Sequence, residues 1–337
     1  MKANRLGSHL RQNKRKRTRV FLIVPLMSLI AFPPLFPHHN AQKGIDPQEP
    51  ELVSRHLAFW NGFQEKLDNL GAYAFQHPED AGAQYRYGML CLKGLHTADK
   101  AKDAFKKAIS LKRDFAEAYN GLGWAYFDLW GIRAALMRSI PKDDVRRGEG
   151  AFRRTIDLKS EYSDAYLGLG CAYMLMGHYA NALKYLQKVV ALDPNNDEAW
   201  EVLSQTYEAS AQYEKAIDAR LQSMRFRSDK DTEIAITCNH HHLTGHNRDG
   251  YFDLINLGRL YEKAKQYNAA IQVYEQAVER KPDELEGYHH LGLAYFAKGD
   301  KESAFVQLGI LQSICERAEP EKACDHYAED LFRRIHE

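Results

Sequence analysis

The chain has 337 residues, of which 45% are hydrophobic and 27% are charged, and its formal net charge is +1. This near-neutral total hides an uneven distribution, because eight of the 46 Lys and Arg residues lie in the first 19 positions, which hold no acid. The other 38 basic residues face 45 acidic ones, so the rest of the chain carries a net charge of −7. An acidic body of this kind argues against nucleic acid as the main partner.

The basic N-terminal stretch is followed by an apolar run over residues 20–36. This order is typical of an export signal or an N-terminal membrane anchor. We expect an uncleaved anchor within residues 1–37, because no good small-residue cleavage site follows, although the run of 17 residues is short for a span of about 20. Cleavage after export and a mitochondrial presequence are the alternatives. The positive-inside rule then places the rest of the chain on the non-cytoplasmic side of the membrane.

A short polar linker over residues 38–50 leads into a segment with helical periodicity. Within Glu51–Tyr73, apolar residues recur at the three- and four-residue spacing that places them on one helix face. They are Leu52, Leu57, Trp60, Phe63, Leu67 and Leu70. We therefore expect residues 51–80 to contain a helix that packs on the first unit of the following domain.

The pattern Leu-Gly-x-x-Tyr then returns along the chain. It occurs at residues 122–126, 169–173, 257–261 and 291–295, with a Ser variant at 203–207 and a degenerate copy at 87–91. The copies at 169 and 203, and those at 257 and 291, lie 34 residues apart. A period of this length indicates a stack of helical hairpins, in which each hairpin buries its apolar face only against its neighbours.

The clearest unit, Ser163–Asn196, adds small and apolar residues in its second half and closes with Pro194, which cannot continue a helix. These residues closely resemble the tetratricopeptide repeat family. A second unit at 251–284 matches it nearly as well, with Leu257, Gly258, Tyr261, Ala270, Tyr274, Ala277 and Pro282. The resemblance implies an all-α, right-handed superhelical solenoid of about six helical hairpins, with an N-terminal helix before them and a C-terminal cap helix after them.

On this reading, units one to four occupy residues 81–227, units five and six occupy 251–318, and the cap helix lies within 319–337. The fourth unit departs from the family pattern, because Arg220 stands where an apolar residue belongs. Its second helix is therefore the least strongly predicted of the set.

Two long spacings interrupt the period. The first adds 13 residues within about 128–148, between the helices of the second unit, and we expect an extended helix there that ends before Pro141. The second adds 20 residues within about 228–250, and this polar, His-rich insert is expected to break the stack into a four-unit and a two-unit block.

In the resembled family, the first helix of each hairpin faces a concave groove in which partners bind. The resemblance therefore predicts a partner-binding groove whose N-terminal half is apolar and aromatic, which is typical of a surface that binds an amphipathic helix or an extended peptide. The alternative is that residues 51–73, or the insert near Trp130, fold back over it. The predicted lining residues are Tyr85, Met89, Asn120, Trp124, Phe127, Met174, Glu201, Gln205, Arg259 and His289.

Metal ligands of the soft and borderline type cluster only in the second insert, between Cys238 and His246. Gly245 interrupts the helical spacing there, so we expect a solvated insert and predict no metal and no cofactor. His240, His242 and His246 are the ligands of the alternative, in which the insert binds metal or haem. The chain has no phosphate-binding loop, nucleophile elbow or His-Glu-x-x-His motif, so no enzyme activity is predicted.

The function expected from these observations is a non-enzymatic scaffold that binds a protein or peptide in its groove. We expect it in an envelope-associated complex, membrane-anchored in the bacterial periplasm. Two alternatives remain open, an accessory protein with metal or haem in the insert, and a self-association module that forms a homo-oligomer. If the body is exported, Cys315 and Cys324 are candidates for a disulfide between the last repeat and the cap.

Overall fold

The computed structural model describes residues 50–94, 97–127, 140–228, 250–317 and 323–336, without the side chains of 50–60 and 317–325. Every regular element in these ranges is an α-helix. The predicted anchor, the linker up to residue 49, the extended helix of the first insert and the His-rich segment at 238–246 lie outside the described residues. None of the described helices is long and apolar enough to cross a membrane.

The described part of the chain contains 14 helices. In chain order they are α1 (Pro50–Gln76), α2 (Ala81–Lys93), α3 (Ala98–Leu111), α4 (Ala116–Tyr126), α5 (Lys142–Leu158), α6 (Ser163–Leu175), α7 (Tyr179–Leu192), α8 (Asp197–Ala209), α9 (Tyr213–Ser228), α10 (Tyr251–Lys263), α11 (Tyr267–Arg280), α12 (Leu285–Lys298), α13 (Lys301–Arg317) and α14 (Ala323–His336). The six pairs from α2/α3 to α12/α13 are the predicted hairpins, and each packs on the next.

The turns inside four hairpins share one conformation. The fifteenth residue of the unit is left-handed in each, at Gly177 (φ 75°), Ala211 (φ 57°), Lys265 (φ 59°) and Gly299 (φ 93°). This conformation ends the first helix and reverses the chain, and it is unstrained only for glycine. The two non-glycine residues therefore occupy a costly backbone region.

Large side chains of the second helices fit against glycines of the first helices. A methyl group added at Gly123 would lie 2.5 Å from the Phe152 ring, and one added at Gly168 would lie 2.3 Å from the same ring. Phe152, which is fully buried, thus fills the space between α4 of its own hairpin and α6 of the next. Only glycine leaves room for this close approach.

Neighbouring hairpins are also joined by the repeated tyrosine. The Tyr207 hydroxyl accepts a hydrogen bond from Gln187 at 3.0 Å, and the Tyr295 hydroxyl donates to Glu275 at 2.9 Å. In both cases the partner lies 20 residues earlier, on the second helix of the preceding hairpin. The same contact therefore recurs between different units, as expected of a stack held by nearest-neighbour interactions.

The stack is continuous across the second insert, which corrects the expectation of two separate blocks. Ala216 and Ile217 of α9 share an apolar cluster with Leu257 and Leu260 of α10. Charged side chains extend this contact, because Arg227 on α9 binds Asp253 on α10. The residues before and after the insert therefore pack together as consecutive repeats do.

The residues added by the first insert lie before Lys142, where α5 begins, and do not extend to Gly148, which is already helical. The two predicted end helices are present. α1 packs on α2, with Leu67 buried beside Cys91, and α14 packs on the last hairpin, with Leu331 buried beside Leu311. The apolar ends of the stack are thus covered, as repeat arrays require.

Candidate functional site

The N-terminal part of the predicted groove is formed by half-buried apolar and aromatic side chains on α2. The Tyr85 ring lies 5.0 Å from that of Phe115, and Met89 packs against the same cluster. Burial raises the pKa of Tyr85, and the negative charges of Glu117 and Asp164 raise it further. The phenol therefore stays protonated and available as a hydrogen-bond donor.

Asp164, in the first turn of α6, fixes two predicted groove residues of the preceding hairpin. Its Oδ2 accepts hydrogen bonds from Asn120 Nδ2 at 2.5 Å and from Trp124 Nε1 at 2.8 Å. Trp124 is half-buried, with its ring 5.1 Å from that of Phe152. Asn120 is instead buried, because the next hairpin closes over it, so its placement on an open surface is corrected. Asp164 is not among the residues predicted from the sequence, because acids in the first turn of a helix are common.

Phe127 is also a core residue and does not line a groove. Its side chain is 1% exposed, and its ring lies 5.6 Å from that of Phe152. The cause is the early start of α5, which brings Gly148 against the Phe127 ring. Met174, one hairpin further along, is half-buried against the central cluster, as expected of a groove residue.

Glu201 and Arg220 form a buried ion pair in the fourth hairpin, with side chains 5% and 4% exposed. Glu201 was predicted to line the groove, and the structure corrects this because Arg220 covers it. The predicted departure at Arg220 does not prevent the second helix, since α9 is complete. The sequence signal for this pair is Glu201 itself, an acid on the preceding helix that can balance the charge of Arg220. Gln205 remains half-buried, and its Nε2 donates to Glu201 at 2.8 Å.

The ion pair is part of a larger charged cluster. Arg227 lies 3.5 Å from Glu201, 3.6 Å from Asp197 and 2.8 Å from Asp253. Burial lowers the pKa of Arg227, but the charges of Asp253 and Glu201 outweigh it and the pKa is raised. The arginine is therefore held charged at the contact between the fourth and fifth hairpins.

The last two predicted groove residues differ from each other. Arg259 is exposed, whereas His289 is 8% exposed because the cap helix α14 lies over it. His289 Nε2 is 3.0 Å from Asp330 Oδ2 on that helix. Burial lowers the pKa of His289, and that of the neighbouring His290 falls to about 4. His289 therefore fastens the cap and is not available in an open groove.

Among the described residues, the free cysteines are buried and the His, Cys, Asp and Glu side chains form no metal-binding cluster. Cys91 and Cys171 are free and buried, and burial raises the pKa of both thiols. Cys315 is disulfide-bonded, while the side chain of Cys324 lies outside the described residues. Within the described ranges, no three His, Cys, Asp or Glu residues are placed to hold a metal ion, and His240, His242 and His246 lie outside those ranges.

The repeats that the structure shows also match a known family in sequence. Residues 163–196 and 185–218 match "Tetratricopeptide repeat" patterns, and residues 258–299 match a "TPR repeat" pattern. All three matches fall on helices of the six hairpins. This chain is a tetratricopeptide repeat (TPR) protein.

Similar proteins share only part of their length with this TPR protein. FK506-binding protein 5 of Rhizopus delemar is 32% identical over 85 residues, which are 25% of this chain and 22% of that protein. The BBSome complex member BBS4 homolog of Drosophila melanogaster is 24% identical over 169 residues, which are 43% of this chain and 35% of that protein. The chain thus spans about a third or less of these curated relatives.

Among solved structures, the APC/C hetero-tetramer Cut9-Hcn1 matches with a TM-score of 0.52 and 20% identity. The match covers 82% of this TPR protein and 46% of the other chain. At this identity the likeness shows the fold alone. It agrees with the all-α solenoid seen here. TPR proteins in general bind protein or peptide partners and are generally not enzymes.

Proposed function

We propose that this TPR protein is a non-enzymatic scaffold that holds a peptide segment of a partner protein in the groove of its first three hairpins. The observation that carries the proposal is the row of half-buried apolar side chains on α2, α4 and α6, namely Tyr85, Met89, Trp124 and Met174. Apolar groups held at the surface on rigid helices gain free energy when a partner covers them.

The polar groups beside this row favour a segment with hydrogen-bond donors. Asp164 Oδ2 accepts hydrogen bonds from Asn120 and Trp124, whereas Asp164 Oδ1 accepts no hydrogen bond from the described residues. Glu117 adds a second carboxylate, which lies 3.5 Å from the exposed Lys159. An apolar side chain flanked by amide or cationic donors would therefore complement this groove.

The closest described contacts of α1 with α2 lie on a different face of α2 from Tyr85 and Met89. α1 contacts the other face of α2, where Gly71 lies against the Tyr87 ring and Gln84 Nε2 donates to the Ala74 carbonyl at 2.7 Å. The described aromatic neighbours of Tyr85 are Phe105 and Phe115, which belong to the first hairpin and the turn after it. These contacts support a groove open to a partner.

Site-specific photo-crosslinking in the native host tests the proposal. A benzoylphenylalanine at Met174 on α6 probes the groove, and one at the exposed Lys188 on α7 is the matched control on the second helix of the same hairpin. We expect a discrete foreign protein crosslinked from position 174 and not from 188, and weaker crosslinking when Asp164 is replaced by Ala. Identical adducts from both positions, or adducts only within the chain, would refute the groove.

We further propose that the protein is anchored by residues 1–37 with its repeats on the non-cytoplasmic side, as part of an envelope complex. The support is the basic, acid-free start followed by the apolar run. Fusing alkaline phosphatase or β-galactosidase after residue 50 tests this orientation. Activity of the first fusion alone is expected, and activity of the second alone would contradict it.

A further inference from the structure

Three cations converge on one tyrosine ring on the side of the stack formed by the second helices. Lys102 and Lys106 of α3 lie 5.8 and 5.9 Å from the centre of the Tyr126 ring, and Arg147 of α5 lies 5.9 Å from it. Tyr126 is half-buried at the end of α4, and Lys106 is exposed. We name these four residues the Tyr126 seat.

In the next hairpin, a carboxylate occupies the corresponding position. There Tyr173 is the repeated tyrosine, and its hydroxyl donates to Glu149 Oε1 at 2.8 Å. The same carboxylate accepts from Arg153 Nε at 2.9 Å. Glu149 and Arg153 stand 24 and 20 residues before Tyr173, which is the spacing of Lys102 and Lys106 before Tyr126.

The Tyr126 seat therefore has a lysine where its neighbour has a carboxylate. Asp99 lies 3.2 Å from Lys102 and Asp144 lies 3.4 Å from Arg147, in pairs on their own helices that are individually weak because one partner of each is exposed. No carboxylate of the described residues lies within ion-pair distance of Lys106. Lys102 and Lys106 are four residues apart on one helix, where like charges repel.

We propose that the Tyr126 seat binds a carboxylate of an acidic segment of a partner protein. The ligand supplies the negative group that Glu149 supplies in the next hairpin, accepting hydrogen bonds from the Tyr126 hydroxyl and the Lys106 ammonium. In the next hairpin the corresponding contact is made by a protein carboxylate, that of Glu149. An acidic peptide therefore fits the seat better than a lipid surface does. The three cations of the seat lie on second helices, and none of its residues is among those of the proposed groove.

Fluorescence anisotropy of the full-length protein with fluorescein-labelled hexaglutamate tests the seat. Lys106→Glu reverses a charge inside it, and Lys107→Glu makes the same change at an exposed neighbour on the same helix. We expect the dissociation constant to rise about tenfold for Lys106→Glu and less than about threefold for Lys107→Glu, since like-charge juxtaposition acts at short range. Tyr126→Phe, which keeps the charge and the ring, is expected to raise it about fivefold.

Circular dichroism of each variant verifies the fold. If Lys106→Glu does not fold, the conservative variant Tyr126→Phe tests the proposal in its place. Equal weakening by Lys106→Glu and Lys107→Glu would overturn the proposal, because binding would then follow net charge alone. So would an unchanged dissociation constant for Tyr126→Phe. Phosphatidylglycerol vesicles form a second arm, and binding to them without binding of hexaglutamate would assign the surface to lipid and overturn the peptide proposal.

Discussion

Replacing Gly123 by Ala is expected to destabilise the protein, although the same change elsewhere in a helix stabilises it. The added methyl carbon would lie 2.5 Å from Cε1 of Phe152, whereas ordinary contacts begin near 3.4 Å, so the ring must move by about 0.9 Å. It has no room to do so, because Gly168 on α6 contacts the ring from the next hairpin. Overpacking of this kind costs typically about 1–3 kcal/mol.

Gly150 provides the matched control, because it is exposed on α5 and a methyl carbon there would meet nothing within 4 Å. Gly150→Ala should gain about 0.5–1 kcal/mol from the better helix propensity of alanine. Gly123→Ala receives the same gain but, at the upper end of the overpacking cost, loses about 2 kcal/mol net. The two variants should therefore differ by about 3 kcal/mol.

Urea unfolding followed by circular dichroism measures this difference through the shift in midpoint. A double variant, Gly123→Ala with Phe152→Leu, adds a check. It should recover part of the loss, since the third hairpin already packs a leucine, Leu186, against Gly170. If Gly123→Ala stabilised the protein as much as Gly150→Ala, the close contact with Phe152 would be refuted.

Three further changes test other parts of the structure by the same unfolding assay or by hydrogen exchange. Arg220→Leu should lower the free energy of unfolding by about 3–5 kcal/mol, because it leaves Glu201 buried without its main cation. The double variant with Glu201→Leu should recover part of this loss. A loss below about 1 kcal/mol in the single variant would contradict the buried ion pair. Ala211→Gly should gain about 1 kcal/mol by relieving the left-handed conformation, whereas Gly177→Ala should lose a similar amount; no gain in the first would contradict the shared turn. Burial lowers the pKa of His290 from 6.5 to about 4. The folded state then binds fewer protons than the unfolded state, so stability is lost as pH falls from about 6.5 toward 4. The protection factors of the α12 amides, which correct for the slower intrinsic exchange at low pH, should therefore fall. His290→Phe should weaken this pH dependence, and an unchanged dependence would exclude His290 as its source.

The helices and hairpins could be predicted from the sequence because their signals are local. The repeated Leu-Gly-x-x-Tyr, the closing prolines and the small residues at fixed positions all act within one 34-residue unit. Glycine at position 123 predicts a close approach, and the structure supplies the large residue, Phe152, that makes it. The end helices α1 and α14 were likewise visible as apolar periodicity beyond the repeats.

The groove was predicted less well, because the exposure of a groove position depends on residues far along the chain, in the second helix of the same unit or in the next unit. Asn120 and Phe127 stand at groove positions, but α5 and α6 close over them. His289 is covered by the cap, and Glu201 by an arginine on its own hairpin. The repeat pattern of the family does not contain this information, since each covering residue lies at least 19 positions away along the chain.

The contact between α9 and α10 has a consequence for how the chain can be divided. Its apolar cluster and the Arg227–Asp253 ion pair join side chains that lie on opposite sides of the second insert, and Lys263 binds Glu208 across the same contact. None of these interactions requires the peptide bonds between residues 229 and 249. Two separately expressed fragments, 1–228 and 250–337, should therefore reassociate into one array, so that a reporter split at this point would report on the folding of both parts.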